Sequence, residues 1–234
     1  MRILFTGGGT GGHFYPIIAI AEALNKIVDE EKILKSELYY MSTEPYDKQA
    51  LFENNIKFVQ VNAGKLRIYP SVKNITDMFK TATGCMEAIF KIFALYPDVI
   101  FGKGGFASFP ALFAAKILRI PVIIHESDSA PGRVNKWASK FAKRIAISFP
   151  EAIDSFPKNK TAWTGQPVRR DIARGVKEGA HEYFGFDQNI PVILILGGSQ
   201  GAQKINNALI DALPALLPNF QIILQVGPKN LEDI

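Results

Sequence analysis

Hydrophobic residues along this chain follow two rhythms. Short unbroken apolar runs, closed by glycine, proline or charge, read as strands covered on both faces, whereas three- and four-residue spacing reads as helix. Runs at 2–6, 37–41, 57–61, 98–101, 121–125 and 144–148 predict strands in the first part, and runs at 192–196 and 221–226 predict two more. Ile17, Ala21, Leu24 and Val28 share a helical face and predict a helix over 17–27. Residues 106–118 and a segment around 203–213 predict two others. Such alternation specifies a parallel, doubly wound α/β sheet with right-handed crossovers, in which ligands sit at the carboxyl ends of the strands.

Three of these strands run straight into glycines and then into a helix. The turns are Gly7-Gly8-Gly9-Thr10-Gly11-Gly12, Gly102-Lys103-Gly104-Gly105 and Gly197-Gly198-Ser199-Gln200-Gly201. Turns free of side chains let N–H groups approach an anion, and the helix N-terminus adds a favourable partial charge. Two such turns early and one late predict two nucleotide-type folds that handle more than one phosphorylated group. Gly7, Gly9 and Gly12 fit the G-x-G-x-x-G spacing, but the second strand ends in Tyr39-Tyr40-Met41-Ser42-Thr43 with no acidic residue to hold a ribose. That argues against NAD. No G-x-x-x-x-G-K-[ST] occurs, so a P-loop NTPase is excluded.

The texture changes at Phe156-Pro-Lys-Asn-Lys160 and Thr164-Gly-Gln-Pro-Val-Arg169, which sets the expected domains at 1–163 and 164–234. The second has roughly 70 residues and one strand–helix–strand turn, a size at which a domain is marginal. One face of its sheet is expected to be bare. Either another chain completes it or the sequence is a fragment; the fragment is the preferred expectation.

Composition narrows the class. With 47% apolar and 21% charged residues the chain is an ordinary globular protein, and no apolar run nears the length of a membrane span. The N-terminus reads as a strand and a glycine turn rather than a signal peptide. The single cysteine, Cys85, excludes an internal disulfide and, among Met86, Ala88 and Ile89, reads as a small core residue. The three histidines are scattered and no metal site is read. The net charge of +5 is concentrated: Arg133, Lys136, Lys140, Lys143 and Arg144 lie in a stretch with no acid, and Arg169, Arg170 and Arg174 follow. Solvated helix faces explain this, and so does an anionic partner, whether nucleic acid, a phospholipid surface or a phosphorylated substrate. Composition does not choose among them.

His13 stands at the mouth of the first glycine turn, placed to touch whatever the turn holds. A histidine there serves as a general base towards a hydroxyl or as a loop residue bonded to backbone. His125 ends a strand and leads into Glu126-Ser-Asp-Ser-Ala-Pro-Gly132, again at a carboxyl end. A site role and a structural Glu–His pair are both open. His181 lies in a polar stretch and carries no claim.

Six motifs occur in order: Gly8-Gly-Thr-Gly-Gly-His13 with Pro16; Gly102-x-Gly-Gly-Phe-x-Ser108 with Pro110; His125-Glu126; Pro131-Gly132 with Asn135; Thr164-Gly-Gln-Pro-Val-Arg169; and Gly197-Gly-Ser-Gln-Gly-Ala202. Together they resemble the MurG family of bacterial transferases, which add N-acetylglucosamine to the lipid-linked muramyl-pentapeptide precursor of peptidoglycan. The resemblance implies two Rossmann-like domains of the GT-B type, the second incomplete in this chain. It implies that the first domain holds an undecaprenyl-diphosphate-linked acceptor on its two glycine loops, with Gly104, Gly105, His125, Glu126 and Asp128 at the site. It implies that the second holds UDP-N-acetylglucosamine, with Thr10, Gly11, Gly12, Arg169, Ser199 and Gln200 in the donor site or the cleft beside it. Asp128 stands where the family often has Asn, and Phe106 where it often has Tyr.

Chemistry of this kind needs a base for the acceptor hydroxyl and stabilisation of the departing diphosphate. His13 is the natural base and Asp128 the alternative, while N–H dipoles at the third turn serve the diphosphate without a metal or other cofactor. The family's inversion fits a single in-line displacement. The resemblance also implies no nucleic-acid partner and a peripheral place on the cytoplasmic face of the membrane. Residues 66–95 fit that place: Ile68, Tyr69, Ile75, Met78, Phe79, Phe90, Ile92 and Phe93 interleave with Lys65, Arg67, Lys73, Lys80 and Lys91. A core-facing helix is the competing reading, and 69–79 is the better membrane candidate. Other readings are a different GT-B glycolipid synthase, a UDP-sugar epimerase, or a lipid- or nucleotide-binding module without turnover. Residues 1–234 alone are expected to bind acceptor-like diphosphates weakly and to show no transfer.

Overall fold

The structure is a computed structural model that describes residues 1–32, 34, 36–65, 73–198, 201–227 and 230–231. It falls into two compact units, Met1–Ala173 and Arg174–Ile234.

The first unit is built on a parallel sheet in the order β3-β2-β1-β4-β5-β6-β7. Its strands are β1 (Arg2–Thr6), β2 (Glu37–Ser42), β3 (Ile56–Gln60), β4 (Val99–Gly102), β5 (Val122–Glu126), β6 (Arg144–Ile147) and β7 (Thr161–Trp163). Chain order reverses direction at β1, and β1 pairs with β4 so that Thr6 stands beside Gly102. The first two glycine turns therefore leave adjacent strands at the same edge, where a doubly wound sheet binds its ligands.

Helices cover both faces. On one, α1 (Gly11–Glu30) and α2 (Lys48–Glu53) bury Phe14, Ile17, Ile18 and Leu51 against Ile3, Phe5, Leu38 and Tyr40. On the other, α3 (Lys73–Leu95), α4 (Phe109–Leu118) and α5 (Arg133–Ala138) bury Ala88, Ile92, Leu112 and Ala138 against Leu4, Met41, Ile100 and Ile124. Cys85 is buried in α3, as a core residue.

Three expectations change. Helix α1 begins at Gly11, six residues before 17, because the glycines and Pro16 are taken into its opening turns; Pro16 costs only the bond to the Gly12 carbonyl. The segment from 106 is split: Phe106–Ser108 is a 3-10 turn, entered through Gly105 at φ +79°, and α4 follows with Pro110 in its first turn. The first unit also runs past 163. Strand β7 joins the sheet beside β6, the N–H groups of Thr164 and Gly165 donate to the Ile147 carbonyl, and the short helix α6 (Arg170–Ala173) returns to α1, where Arg170 N–H donates to Glu22 Oε2 at 3.0 Å. These bonds hold ten residues that the expected boundary had given to the second unit.

The second unit contains α7 (Ala180–Phe184), β8 (Val192–Leu196), α8 (Gln203–Leu216) and β9 (Gln221–Gln225). Strands β8 and β9 are parallel and in register, and α8 seats Asn206 and Leu209 inward. Leu194 and Leu196 stay exposed on the other face, the bare face expected of a single strand–helix–strand turn.

Candidate active site

The first unit gathers its chemistry where β1, β4 and β5 end. Lys103 N–H donates to the Thr6 carbonyl at 2.8 Å, which holds the second glycine turn beside the first. The turns touch so closely that a Cβ on Gly105 would stand 2.8 Å from the Gly8 carbonyl oxygen, and one on Gly9 would stand 2.8 Å from the Phe106 ring. Gly104 and Gly105 also adopt φ of +86° and +79°, a region glycine occupies without a steric cost.

His13 lies in the first turn of α1. Its Nδ1 is hydrogen-bonded to Thr10 Oγ1 at 2.9 Å, and its Cε1–Nε2 edge faces Gly105. Burial, and then the Lys103 ammonium, push the imidazole below its ordinary value, against the pull of Asp128 and Glu126. The ring is therefore neutral at neutral pH and ready to accept a proton.

Glu126 closes β5 and organises the loop beyond it. Its carboxylate accepts from Asp128 N–H at 3.1 Å, Gly132 N–H at 3.0 Å and Asn135 Nδ2 at 2.9 Å. Asn135 also donates to the His125 carbonyl at 3.1 Å, so the start of α5 is bolted to the end of β5. Charge-assisted bonds of this kind are strong and fix the loop that carries Asp128. His125 does not pair with Glu126. Its Nε2 donates to the Gly165 carbonyl at 3.1 Å, while burial and Lys103 push the ring down to about 4. The bond ties the end of β5 to the segment that follows β7.

A cavity of about 780 Å³ opens from this cluster. His13, Gly105, Glu126, Asp128 and Asn135 line one side, and Met78, Phe106, Phe109, Val134 and Trp137 supply an apolar wall. Asn135 Oδ1 is buried there without a hydrogen-bond partner. The cavity thus offers a polar head and an apolar body.

Of the other expected site residues, Thr10 caps no backbone group and instead serves His13, while Gly11 and Gly12 form the first turn of α1. Arg169 belongs to the first unit, where its guanidinium stacks 4.1 Å above the Tyr15 ring and its Nε is buried. Ser199 and Gln200, between β8 and α8 in the sequence, lie outside the described residues. Among the described residues no group of His, Cys, Asp and Glu is placed to hold a metal ion. Two residues that motif reading passed over matter here. Lys103 sits in the variable place of the second turn, and Asn135 was noted only as part of a motif; a lysine flanked by glycines beside a buried strand was the available signal for the first.

Two α/β units, each with a strand that runs through a glycine turn into a helix, and the first with paired turns over a cavity, define a chain of the GT-B glycosyltransferase class. The chain belongs to glycosyltransferase family 28: residues 3–147 match the Glycosyltransferase family 28 N-terminal domain and residues 192–234 the Glycosyltransferase family 28 C-terminal domain. A protein of Bacillus thuringiensis (strain Al Hakam) named UDP-N-acetylglucosamine–N-acetylmuramyl-(pentapeptide) pyrophosphoryl-undecaprenol N-acetylglucosamine transferase 3 is 42% identical over 232 residues, which cover 99% of this chain and 64% of the relative. A transferase of the same name from Treponema denticola is 38% identical over 247 residues, covering 99% of this chain and 61% of the relative. The crystal structure of Acinetobacter baumannii MurG superposes with a TM-score of 0.65 at 26% identity, over 99% of this chain and 60% of that one. A UDP-GlcNAc 2-epimerase from Neisseria meningitidis, bound to UDP-GlcNAc, shares the fold with a TM-score of 0.64 at 18% identity, over all of this chain (100%) and 69% of that one. The chain spans less than two thirds of the length of these curated relatives. The resemblance to the MurG family read from the six motifs is borne out by these names.

Proposed function

We propose that the protein transfers N-acetylglucosamine from UDP-N-acetylglucosamine to the undecaprenyl-diphosphate-linked N-acetylmuramoyl-pentapeptide of peptidoglycan synthesis, with inversion and without a metal. The observation that carries this reading is the cavity, in which His13, Gly105, Glu126 and Asp128 form the polar head of an apolar chamber. A substrate with a diphosphate, a sugar hydroxyl and a lipid tail has that polarity.

In this reading the acceptor diphosphate lies against the N–H groups of the turns at 7–9 and 104–105, and the sugar hydroxyl meets His13 Nε2. When Nδ1–H is donated to Thr10 Oγ1, Nε2 keeps its lone pair. The hydroxyl oxygen attacks the anomeric carbon of the donor, its proton passes to Nε2, and the bond to the UDP oxygen breaks with its electron pair. Asp128, held by Glu126 through its own N–H, is the alternative base. The departing diphosphate is assigned to the positive end of α8 in the second unit, where the N-cap residue Ala202 makes no side-chain cap bond. Arg169, Ser199 and Gln200 remain assigned to the donor side by motif.

The same reading puts the protein at the cytoplasmic face of the membrane. No described helix is long and apolar enough to cross a bilayer. Along α3, however, Ile75, Met78, Phe79, Met86, Phe90 and Phe93 are exposed while Cys85, Ala88 and Ile92 face the core. The exposed stripe therefore runs on to Phe93, beyond the 69–79 stretch favoured from sequence, and residues 66–72 lie outside the described residues. Met78 belongs to both the stripe and the cavity wall, and Arg133 at the cavity rim begins the exposed basic run that ends at Arg144. An apolar stripe beside cations suits an anionic bilayer surface, with the lipid tail of the acceptor passing between the two.

The test is transfer of labelled N-acetylglucosamine from UDP-N-acetylglucosamine to a short-chain lipid acceptor by the complete protein. Acceptor-dependent product with an inverted anomeric centre is expected. Turnover of the UDP-sugar without the acceptor would contradict the reading.

A further inference from the structure

Lys103 stands between Gly102 and Gly104 and is only 1% exposed. A buried ammonium persists only where hydrogen bonds and opposite charge replace the water it has lost. Its Nζ donates to Ser127 Oγ. The Ser127 hydroxyl donates in turn to Gln166 Oε1 at 2.8 Å, and Ser148 Oγ donates to the same oxygen at 2.7 Å. Ser127 has a single proton and gives it to Gln166, so a donor must meet its lone pairs; an ammonium, which only donates, fits that place. Gln166 sits between Gly165, whose carbonyl accepts from His125, and Arg169, which stacks on Tyr15.

We propose that Lys103 is a positioning residue whose buried ammonium, through Ser127 and Gln166, fastens residues 164–169 and hence Arg169 to the second glycine turn and to the loop that carries Asp128. The chain of bonds joins three separate segments: the second glycine turn, the loop after β5 and the stretch that follows β7. The charge also acts on the groups that face it, which are His125 and Glu126 at the end of β5, Asp128 in the loop after it and His13 at the start of α1. It lowers both imidazoles, and burial lowers the ammonium itself to about 8 against the opposing pull of the two carboxylates. Lys103 thus fixes segments around the base and adds to the burial that lowers His13. The importance of His13 as a base rests on the transferase reading, but the tether does not, and the experiment uses no substrate.

The test is NMR on the chain as it stands, comparing the wild type with K103M, K103R and S127A. The N–H groups of Thr164 and Gly165 donate to the Ile147 carbonyl at 3.0 and 3.3 Å, so their exchange with solvent reports the attachment. K103M and S127A should each speed that exchange about five- to tenfold, the factor for one lost hydrogen bond, with no change in β2 and β3. His13 should titrate at higher pH in K103M but at the wild-type pH in S127A, which keeps the ammonium, and in K103R. Loosened packing alone would not divide the variants in this way. If K103M does not fold, S127A still decides the tether, and wild-type exchange at 164 and 165 in S127A overturns it. An unmoved His13 titration in a folded K103M overturns the role of the charge.

Discussion

Thr10 Oγ1 lies 2.9 Å from Nδ1 of His13, one turn away at the opening of α1. The bond sets the ring plane, and with Nδ1–H as donor it leaves Nε2 as the basic edge towards Gly105. H13A should therefore lower turnover by about 10²–10⁴-fold, the range for loss of a general base. T10V, which keeps the shape and removes the oxygen, should lower kcat by about tenfold and leave KM for the donor nearly unchanged. Steady-state transfer assays on the two variants check both, and near-normal turnover in H13A would move the role to Asp128.

Contact between the turns admits no side chain at Gly105, where φ is +79° and a Cβ would meet the Gly8 carbonyl at 2.8 Å. G105A should destabilise the first unit by about 1–3 kcal/mol. Both tryptophans, Trp137 and Trp163, lie in that unit, so urea unfolding followed by their fluorescence reads it alone.

Acid should weaken the first unit well above the carboxylate range. His125 is held down to about 4, whereas a histidine in the unfolded chain titrates near 6.5. Between those values the unfolded state binds the extra proton, so this stability is fully present above about pH 6.5 and is lost as pH falls towards 4. The amount is on the order of 3 kcal/mol. The lowered His13 acts in the same direction. H125Q keeps an N–H donor and never titrates, so its urea midpoint should fall less between pH 7 and pH 4.5 than that of the wild type. Parallel curves would show that the ring is not buried in its neutral form.

Membrane attachment should depend on α3. Ile75 and Phe79 are 59% and 65% exposed, so replacing them costs the fold little. I75E/F79E should bind anionic vesicles at least about tenfold more weakly, since each apolar side chain contributes on the order of 1–2 kcal/mol when buried in lipid. Sedimentation with phosphatidylglycerol vesicles, read beside neutral ones and at two salt concentrations, separates the apolar stripe from the basic run.

The strands were largely legible in the sequence because parallel strands buried on both faces must be continuous apolar runs; β1 and β8 fall at 2–6 and 192–196 as read. Strand β7 was not, since Thr161-Ala-Trp163 is too short for a pattern and is an edge strand with two exposed residues. That omission moved the expected boundary ten residues early. The site was legible at its glycines and at His13, which local sequence places at strand ends. It was illegible where segments distant in sequence meet. Lys103, Ser127 and Gln166 come together across 24 and 39 residues, and no spacing rule announces such a contact. The stacking of Arg169 on Tyr15 was hidden for the same reason.

The central claim is that the first unit holds a lipid-linked diphosphate against its two glycine turns, with His13 at its head. Amide and imidazole chemical shifts of the chain, followed while a short-chain polyprenyl diphosphate is added, test it most directly. Saturable shifts should centre on Gly8, Gly9, Gly104, Gly105 and His13, spread to Phe109, Val134 and Trp137, and vanish in G105A. Shifts confined to residues 174–234, or undiminished binding by G105A, would contradict it.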